Sequence, residues 1–311
     1  AEGGGAGGAR PAAPPLMRRR PGDWQKLIRG SHGREWYHLP KNIIEVFSNC
    51  YGPFGVREAV KQAAAAGIGY VELAMKAHDM GGLKVPASAV IGEDSSEEDI
   101  ASFERLLKET GVRILTANGG GDLEKEDDVR RIERRIDLAH RLGARYFVVS
   151  CPKRSSLVYD RLQELGDYAL ARGLVIALET HPPLVTNAAV GLETMRAVNH
   201  RNVRINFDTA NVHYYNEGVD TLEEIEKLLE YIVHVHLKDS RKGFKEWYFP
   251  AIGEGTIDVP GIFARFAAAG FYGPYSLELE GIQGEGELTL EQRQARIVAS
   301  MAYLRKIGVV A

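Results

Sequence analysis

The stretch IVHVHLKDS, residues 232–240, places two histidines two positions apart inside an apolar run. Alternation along a strand turns His234 and His236 to one side, with Val235 and Leu237 on the other. A lone histidine on an apolar strand is ordinarily a hydrogen-bonded core residue, so a chemical role needs partners from other strands. Three more apolar runs offer them. ALETHPP ends one in Glu179, followed by Thr180 and His181; INFDTAN ends one in Asp208; YSLELEG carries Glu278 and Glu280. Glu179 to Asp208 is 29 residues and Asp208 to His236 is 28, each nearly one β–α unit, while the 42 residues from His236 to Glu278 leave room for a longer loop.

Three carboxylates and one imidazole at the ends of four consecutive strands would meet at one point. Burying like charges together is costly unless a cation neutralises them. An oxygen-rich set with one histidine suits Mn²⁺ first, then Co²⁺ or Mg²⁺, and admits Zn²⁺. Each acid taken singly has a plainer reading, as a helix cap or a partner of Lys or Arg. The four positions together favour one divalent metal ion.

Such a meeting point needs strands that end at one rim. From Ile43 onward, short β-branched runs alternate with amphipathic stretches. IIEVFSN (43–49) reads as a strand and VREAVKQAAAAG (56–67) as a helix stopped by glycine. SSEEDIASFERLLKETG begins with a capping signature. Continuing through TLEQRQARIVASMAYLRKIG gives eight strands and eight helices, several strands nearly continuous in Val, Ile and Leu. This predicts an α/β protein, a (β/α)8 TIM barrel in a single domain over residues 41–311. The rival, a doubly wound sheet with a phosphate loop, finds only NGGG at 118–121, which lacks the dinucleotide spacing.

Residues 1–40 are expected to be a low-complexity leader and N-terminal extension, opening with Gly, Ala and Pro and a short Arg cluster rather than the apolar core of a secretory signal. The net charge of −3 over 311 residues gives no reason to expect nucleic acid or a membrane surface as a partner, and no apolar run is long enough to span a bilayer. Two cysteines, Cys50 and Cys151, are too few for a disulfide framework and fit a reducing, cytoplasmic setting.

ALETH, FDTAN, HVHLKD, GEGTID and GPYSLELEG together resemble the sugar phosphate isomerase/epimerase superfamily of xylose isomerase-like barrels, over roughly residues 40–308. The resemblance to its ketose 3-epimerases implies metal ligation by Glu179, Asp208, His236 and Glu278. It favours Glu278 over Glu280, which lies further into the loop, and leaves His234 one layer deeper in a packing role. It also implies proton transfer next to a metal-bound carbonyl through an enediolate, with Glu179 and Glu278 as the acid and base, a small sugar or polyol substrate, and a homodimer or tetramer. Substrate contacts are expected from His181, from Asn211, which stands where these epimerases carry a histidine, and from Arg241. His213 is a further candidate. Glu72 is expected to reach a substrate hydroxyl or to pair with Lys76. The loop carrying Trp247, Tyr248 and Phe249 is expected to wall the mouth or to pack on a neighbouring subunit.

Lyases sharing a one-metal site remain the alternative: inosose and 3-dehydroshikimate dehydratases, and the metal subunits of C-glycoside-cleaving enzymes. An apurinic endonuclease-like phosphodiesterase needs several more histidines than TANGGG and KDSRKGF supply, and a basic surface that the charge does not provide. A catalytically silent sugar-binding barrel would keep these buried carboxylates to no purpose.

Overall fold

Apolar runs without a polar face become strands here because a parallel strand under helices is buried on both sides. The structure, a computed structural model, describes residues 42–80 and 83–310; the expected leader and extension over 1–40 lie outside the described residues. In chain order the strands are β1 (Ile44–Phe47), β2 (Tyr70–Ala74), β3 (His78–Met80), β4 (Leu83–Val85), β5 (Arg113–Asn118), β6 (Tyr146–Val149), β7 (Val175–Glu179), β8 (Val203–Asp208), β9 (Ile232–Leu237), β10 (Tyr248–Phe249), β11 (Tyr275–Leu277) and β12 (Gly281–Ile282). The helices are α1 (Gly55–Ala65), α2 (Glu97–Thr110), α3 (Glu126–Arg141), α4 (Ser156–Leu170), α5 (Ala188–Val198), α6 (Asn211–Tyr214), α7 (Thr221–Leu228), α8 (Val259–Ala268) and α9 (Leu290–Lys306).

Eight of the strands close a barrel in the order β1-β2-β5-β6-β7-β8-β9-β11, with β11 returning to β1 and every neighbouring pair parallel. The expected single-domain TIM barrel is therefore present. Local signals set its helices. Ser96 caps α2 by accepting from Asp99 N at 3.1 Å, and Gly111 ends that helix in the left-handed region at φ 72°. Thr289 and Gln292 form a full capping box at the start of α9.

Three additions decorate the rim: the antiparallel hairpin β3–β4, the one-turn helix α6 directly after β8, and a ribbon pairing β10 with β12. The ribbon ties the loop after β9 to the loop after β11. The glycines of NGGG serve packing. A Cβ on Gly120 would lie 2.1 Å from the Ser150 carbonyl oxygen, so the loops after β5 and β6 can touch only through glycine.

Inside the barrel the side chains fall into layers. Tyr70, Leu115, Tyr146, Val148, Val175, Ala177 and Val233 make a small apolar cluster of their own, apart from the main core that packs strands against helices. Above it lies a polar layer containing Glu45, Thr116, Asn206 and His234. Two register shifts, at Ile205/Asn206 against β9 and at Val71/Glu72 against β5, help set which residues meet there.

Candidate metal centre

Glu179 ends β7, Asp208 ends β8, His236 lies one residue from the end of β9, and Glu278 follows β11 directly. Each offers one ligand atom, and these atoms all lie within 4.8 Å of one another. Nδ1 of His236 is 3.0 Å from Oε2 of Glu278 and 3.6 Å from Oε1 of Glu179. Asp208, His236 and Glu278 are buried, and Glu179 keeps a little exposure at the mouth.

The cluster is held by its surroundings. Oδ1 of Asp208 accepts from the backbone N–H groups of Ala210 and Asn211, both at 2.8 Å, which fixes the carboxylate against the start of α6. Nε2 of His236 faces both oxygens of Glu72 at 3.0 Å, and the imidazole stacks on Phe47 with centroids 5.4 Å apart. Asn118 donates to Oε1 of Glu72 at 3.2 Å, and Asn49 donates to Oε1 of Glu278 at 3.4 Å. Two polar atoms aimed into the cluster, Oδ2 of Asp208 and Nδ1 of His236, are buried and make no well-formed hydrogen bond; their neighbours are charged groups, Lys238 Nζ at 3.6 Å from Oδ2 and Glu278 Oε2 at 3.0 Å from Nδ1.

Lys238 brings a buried cation to the same place. Its Nζ is 3.4 Å from Oε2 of Glu278, 3.6 Å from Oδ2 of Asp208 and 3.3 Å from Oδ1 of Asn211, and it pairs with Glu280. Burial alone would lower the lysine, but Glu278, Glu280 and Asp208 raise it well above its ordinary value. Burial pushes Asp208 up to about 8 against the pull of Lys238, and Glu280 up to about 7 in the same way. Burial also opposes ionisation of Glu278, yet His236 and Lys238 hold it well below the usual carboxylate range.

Three carboxylates and one imidazole nitrogen, with their ligand atoms within 4.8 Å of one another, are a donor set that fits a divalent cation. A second group, Glu72, His234 and His236, also brings ligand-type atoms together. There His234 is already engaged, with Nδ1 2.8 Å from Oδ1 of Asn206 and Nε2 2.7 Å from Oε1 of Glu45.

The remaining sequence candidates are placed as follows. His181 is half-buried at the mouth, its Nδ1 2.8 Å from the Pro182 carbonyl and its ring edge-on to Tyr215 at 4.9 Å. Asn211 is buried and binds the Thr180 carbonyl at 3.2 Å as well as Lys238. Arg241 is exposed, with its guanidinium 3.8 Å from the centroid of Tyr248. His213 is not at the surface: it is buried against the Thr221 hydroxyl at 2.6 Å, and burial lowers it to about 4. Glu72 faces His236 rather than Lys76, and it is fully buried.

Sequence reading passed over Glu45, whose signal was an acid inside IIEVF, and left Lys238 without a role although it follows the two histidines directly. It also missed Tyr215, whose half-buried phenol is raised above its ordinary value by desolvation and by the nearby Glu179, Glu280 and Asp208, with Lys238 opposing.

A closed parallel barrel with an acidic, one-histidine cluster at the C-terminal ends of its strands belongs to the (β/α)8 class that carries its sites at that rim. The chain belongs to the Xylose isomerase-like TIM barrel family, whose model matches residues 60–307. It is 26% identical over 226 residues to an inosose dehydratase of Erwinia tasmaniensis, covering 58% of this chain and 74% of that protein. It is 23% identical over 261 residues to an L-ribulose 3-epimerase of Methylomonas sp., covering 75% of this chain and 81% of that one. The crystal structure of a Xylose isomerase domain protein from Planctomyces limnophilus superposes with a TM-score of 0.67 at 20% identity, over 85% of this chain and 96% of the other, a likeness of fold.

Proposed function

We propose that this protein is a divalent-metal-dependent sugar isomerase or epimerase, with Glu179, Asp208, His236 and Glu278 as the metal ligands. One observation carries the reading: these four residues converge at one rim, each offering a ligand atom within 4.8 Å of the others. The L-ribulose 3-epimerase relative supports it. When bound, the ion supplies Lewis acidity that stabilises negative charge developing beside the carbon that loses its proton. Glu179 and Glu278 come from β7 and from the end of β11, across the mouth from each other, with β8 and β9 between them. One removes the proton and the other returns it. Lys238 holds Glu278 ionised for that role. His181, Asn211 and Arg241 are assigned to substrate oxygens: His181 lies at the mouth, Asn211 sits beside Lys238, and Arg241 is exposed in the loop after β9.

The test is metal analysis before and after chelation and Mn²⁺ reloading, with about one ion per chain expected. Glu179→Gln and Glu278→Gln should each abolish exchange of a substrate C–H with deuterium from D2O while leaving the circular dichroism spectrum unchanged. Full exchange in either variant, or no ion uptake after loading, overturns the proposal.

The second reading is a lyase at the same site, favoured by the inosose dehydratase relative and by His181. Its Nδ1 donates to the Pro182 carbonyl, and its Nε2 makes no hydrogen bond with the described residues, so Nε2 would give a proton to a leaving hydroxyl only from the doubly protonated ring. Loss of water from an inosose, in place of an epimeric product, selects it.

A further inference from the structure

A cavity of about 1120 Å³ lies between the turn after β1, the segment 281–288 and the start of α9. It is apart from the cluster: none of Glu179, Asp208, His236 and Glu278 lines it. Its described lining carries three cations, Lys245, Arg293 and Arg296, and three acids, Glu280, Glu285 and Glu287. Two of the acids are already engaged. Glu280 pairs with Lys238. Glu285 pairs with Arg296, Nη1 to Oε1 at 2.9 Å, and also accepts the Ile282 backbone N–H at 2.8 Å. Glu287 is exposed, and it makes no ion pair with the described residues.

Arg293 is left over. It is half-buried, and it has no acid within ion-pair reach among the described residues. Nη1 donates to the Cys50 carbonyl at 2.9 Å, Nε is buried without a hydrogen bond, and Nη2 makes none and stays accessible. The guanidinium lies against glycine: a Cβ on Gly52, where φ is +52°, would come within 3.1 Å of its Cζ. Burial lowers Arg293 below its ordinary value and Arg296 adds to this, against Cys50, Glu285 and Glu287. An arginine nevertheless stays protonated in a protein, and a desolvated charge is costly until an opposite charge pairs with it.

The same cavity has aromatic walls. Trp247 is propped edge-on by Phe249 at 5.1 Å, and its indole N–H donates to the Glu280 carbonyl at 3.4 Å. Phe54 leaves 41% of its surface exposed there. Apolar walls around a few polar groups are the usual make-up of a small-molecule site. We infer that the cavity binds an aromatic organic anion, its carboxylate or phosphate group on Nη2 of Arg293 and its ring against Trp247 and Phe54. Lys245, exposed on the lining and without an ion pair among the described residues, adds a second positive charge. Glu285 keeps Arg296 occupied, which directs the anion to Arg293. The inference does not depend on proton transfer at Glu179 and Glu278.

The test is isothermal titration of the full chain, metal-loaded and chelated, with phenyl phosphate, benzoate, inorganic phosphate and benzyl alcohol. At least one aromatic anion should bind both forms alike, more tightly than benzyl alcohol, which lacks the charge, and than inorganic phosphate, which lacks the ring. The tighter of phenyl phosphate and benzoate identifies the anionic group. Arg293→Met should weaken that probe by about tenfold or more, and Arg293→Lys, which keeps the charge, by less. Trp247→Ala should weaken the aromatic anion and leave inorganic phosphate unchanged. Wild type supplies a reading that needs no variant: affinity for the aromatic anion should fall as NaCl rises from about 0.05 to about 0.5 M. Four outcomes overturn the inference: no binding of either aromatic anion, benzyl alcohol binding as tightly as they do, affinity unmoved by salt and by Arg293→Met, or binding confined to the metal-loaded form, which would place the anion on the ion.

Discussion

Glu72 meets Nε2 of His236 with both carboxylate oxygens, each 3.0 Å away. A carboxylate accepts, so Nε2 carries a proton toward Glu72 and Nδ1 is aimed at Glu179, Asp208 and Glu278. Nδ1 would offer its lone pair there to a bound cation; without one, burial lowers the ring but Glu278 and Glu72 raise it well above its ordinary value. Glu72 therefore sets the tautomer and aim of His236 without entering the four-residue cluster. Glu72→Ala should weaken Mn²⁺ binding by about 10–100-fold, and Glu72→Gln, which keeps an acceptor, by less. Isothermal titration with Mn²⁺ measures both. Equal affinity in wild type and Glu72→Ala would mean that Phe47 and the strand hold the ring unaided.

Lys238 is a buried cation whose contacts are mainly acidic: Asp208, Glu278 and Glu280. Removing one partner of such a group leaves the others uncompensated, which costs about 3–5 kcal/mol. Lys238→Met should accordingly lower the melting temperature of chelated protein. Mn²⁺ should then raise Tm by more in Lys238→Met than in wild type, because the ion takes over part of the neutralisation. A variant as stable as wild type without metal would show that the acids shed their charge instead.

Gly120 packs its bare Cα against the backbone of Ser150, where a Cβ would come within 2.1 Å of the carbonyl oxygen. Backbone cannot swing aside as a flexible side chain does. Gly120→Ala should destabilise the fold by about 1–3 kcal/mol in urea unfolding, while Gly67→Ala, with nothing within 4 Å but φ at +73°, costs only local strain. An unchanged midpoint for Gly120→Ala would mean that the two loops separate freely.

The four clustered residues were legible because each stands at or next to the end of an apolar run, and strand ends in a barrel share one rim. His234 was likewise legible as the deeper histidine, engaged by Asn206 and Glu45. The partners of these residues were not legible. Glu72 reaches His236 across 164 residues of sequence and Glu45 reaches His234 across 189. Which inward side chains share a level depends on pairing register, and the shifts at Val71/Glu72 and Ile205/Asn206 break the two-residue period from which register is inferred. The ribbon of β10 and β12 and the one-turn α6 were hidden for a related reason. They are too short to carry a periodic signal and depend on contacts between loops.

Glu45 and His234 give the pH dependence a sign. Burial pushes Glu45 up to about 8, against the opposing pull of Thr116 and His236, and burial lowers His234 to about 3. Near neutrality both are uncharged. One proton arrangement then satisfies the contacts: Glu45 Oε1–H donates to Nε2 of His234 at 2.7 Å, Nδ1–H of His234 donates to Asn206 at 2.8 Å, and Thr116 donates to Glu45 at 2.7 Å. Between its ordinary value of 4.5 and about 8, Glu45 binds more proton in the fold than in the unfolded chain. Stability from this group is therefore whole below 4.5, declines as pH rises across that window, and is gone above it. Glu45→Gln stays neutral at every pH and removes the decline. Thermal unfolding of wild type and Glu45→Gln in parallel should show the variant gaining on wild type from pH 6 to pH 8.5, then holding a constant difference. Other titrating groups are common to both proteins and cancel in the comparison. Parallel curves throughout would mean that Glu45 is ionised in the fold and that His234 carries the proton between them.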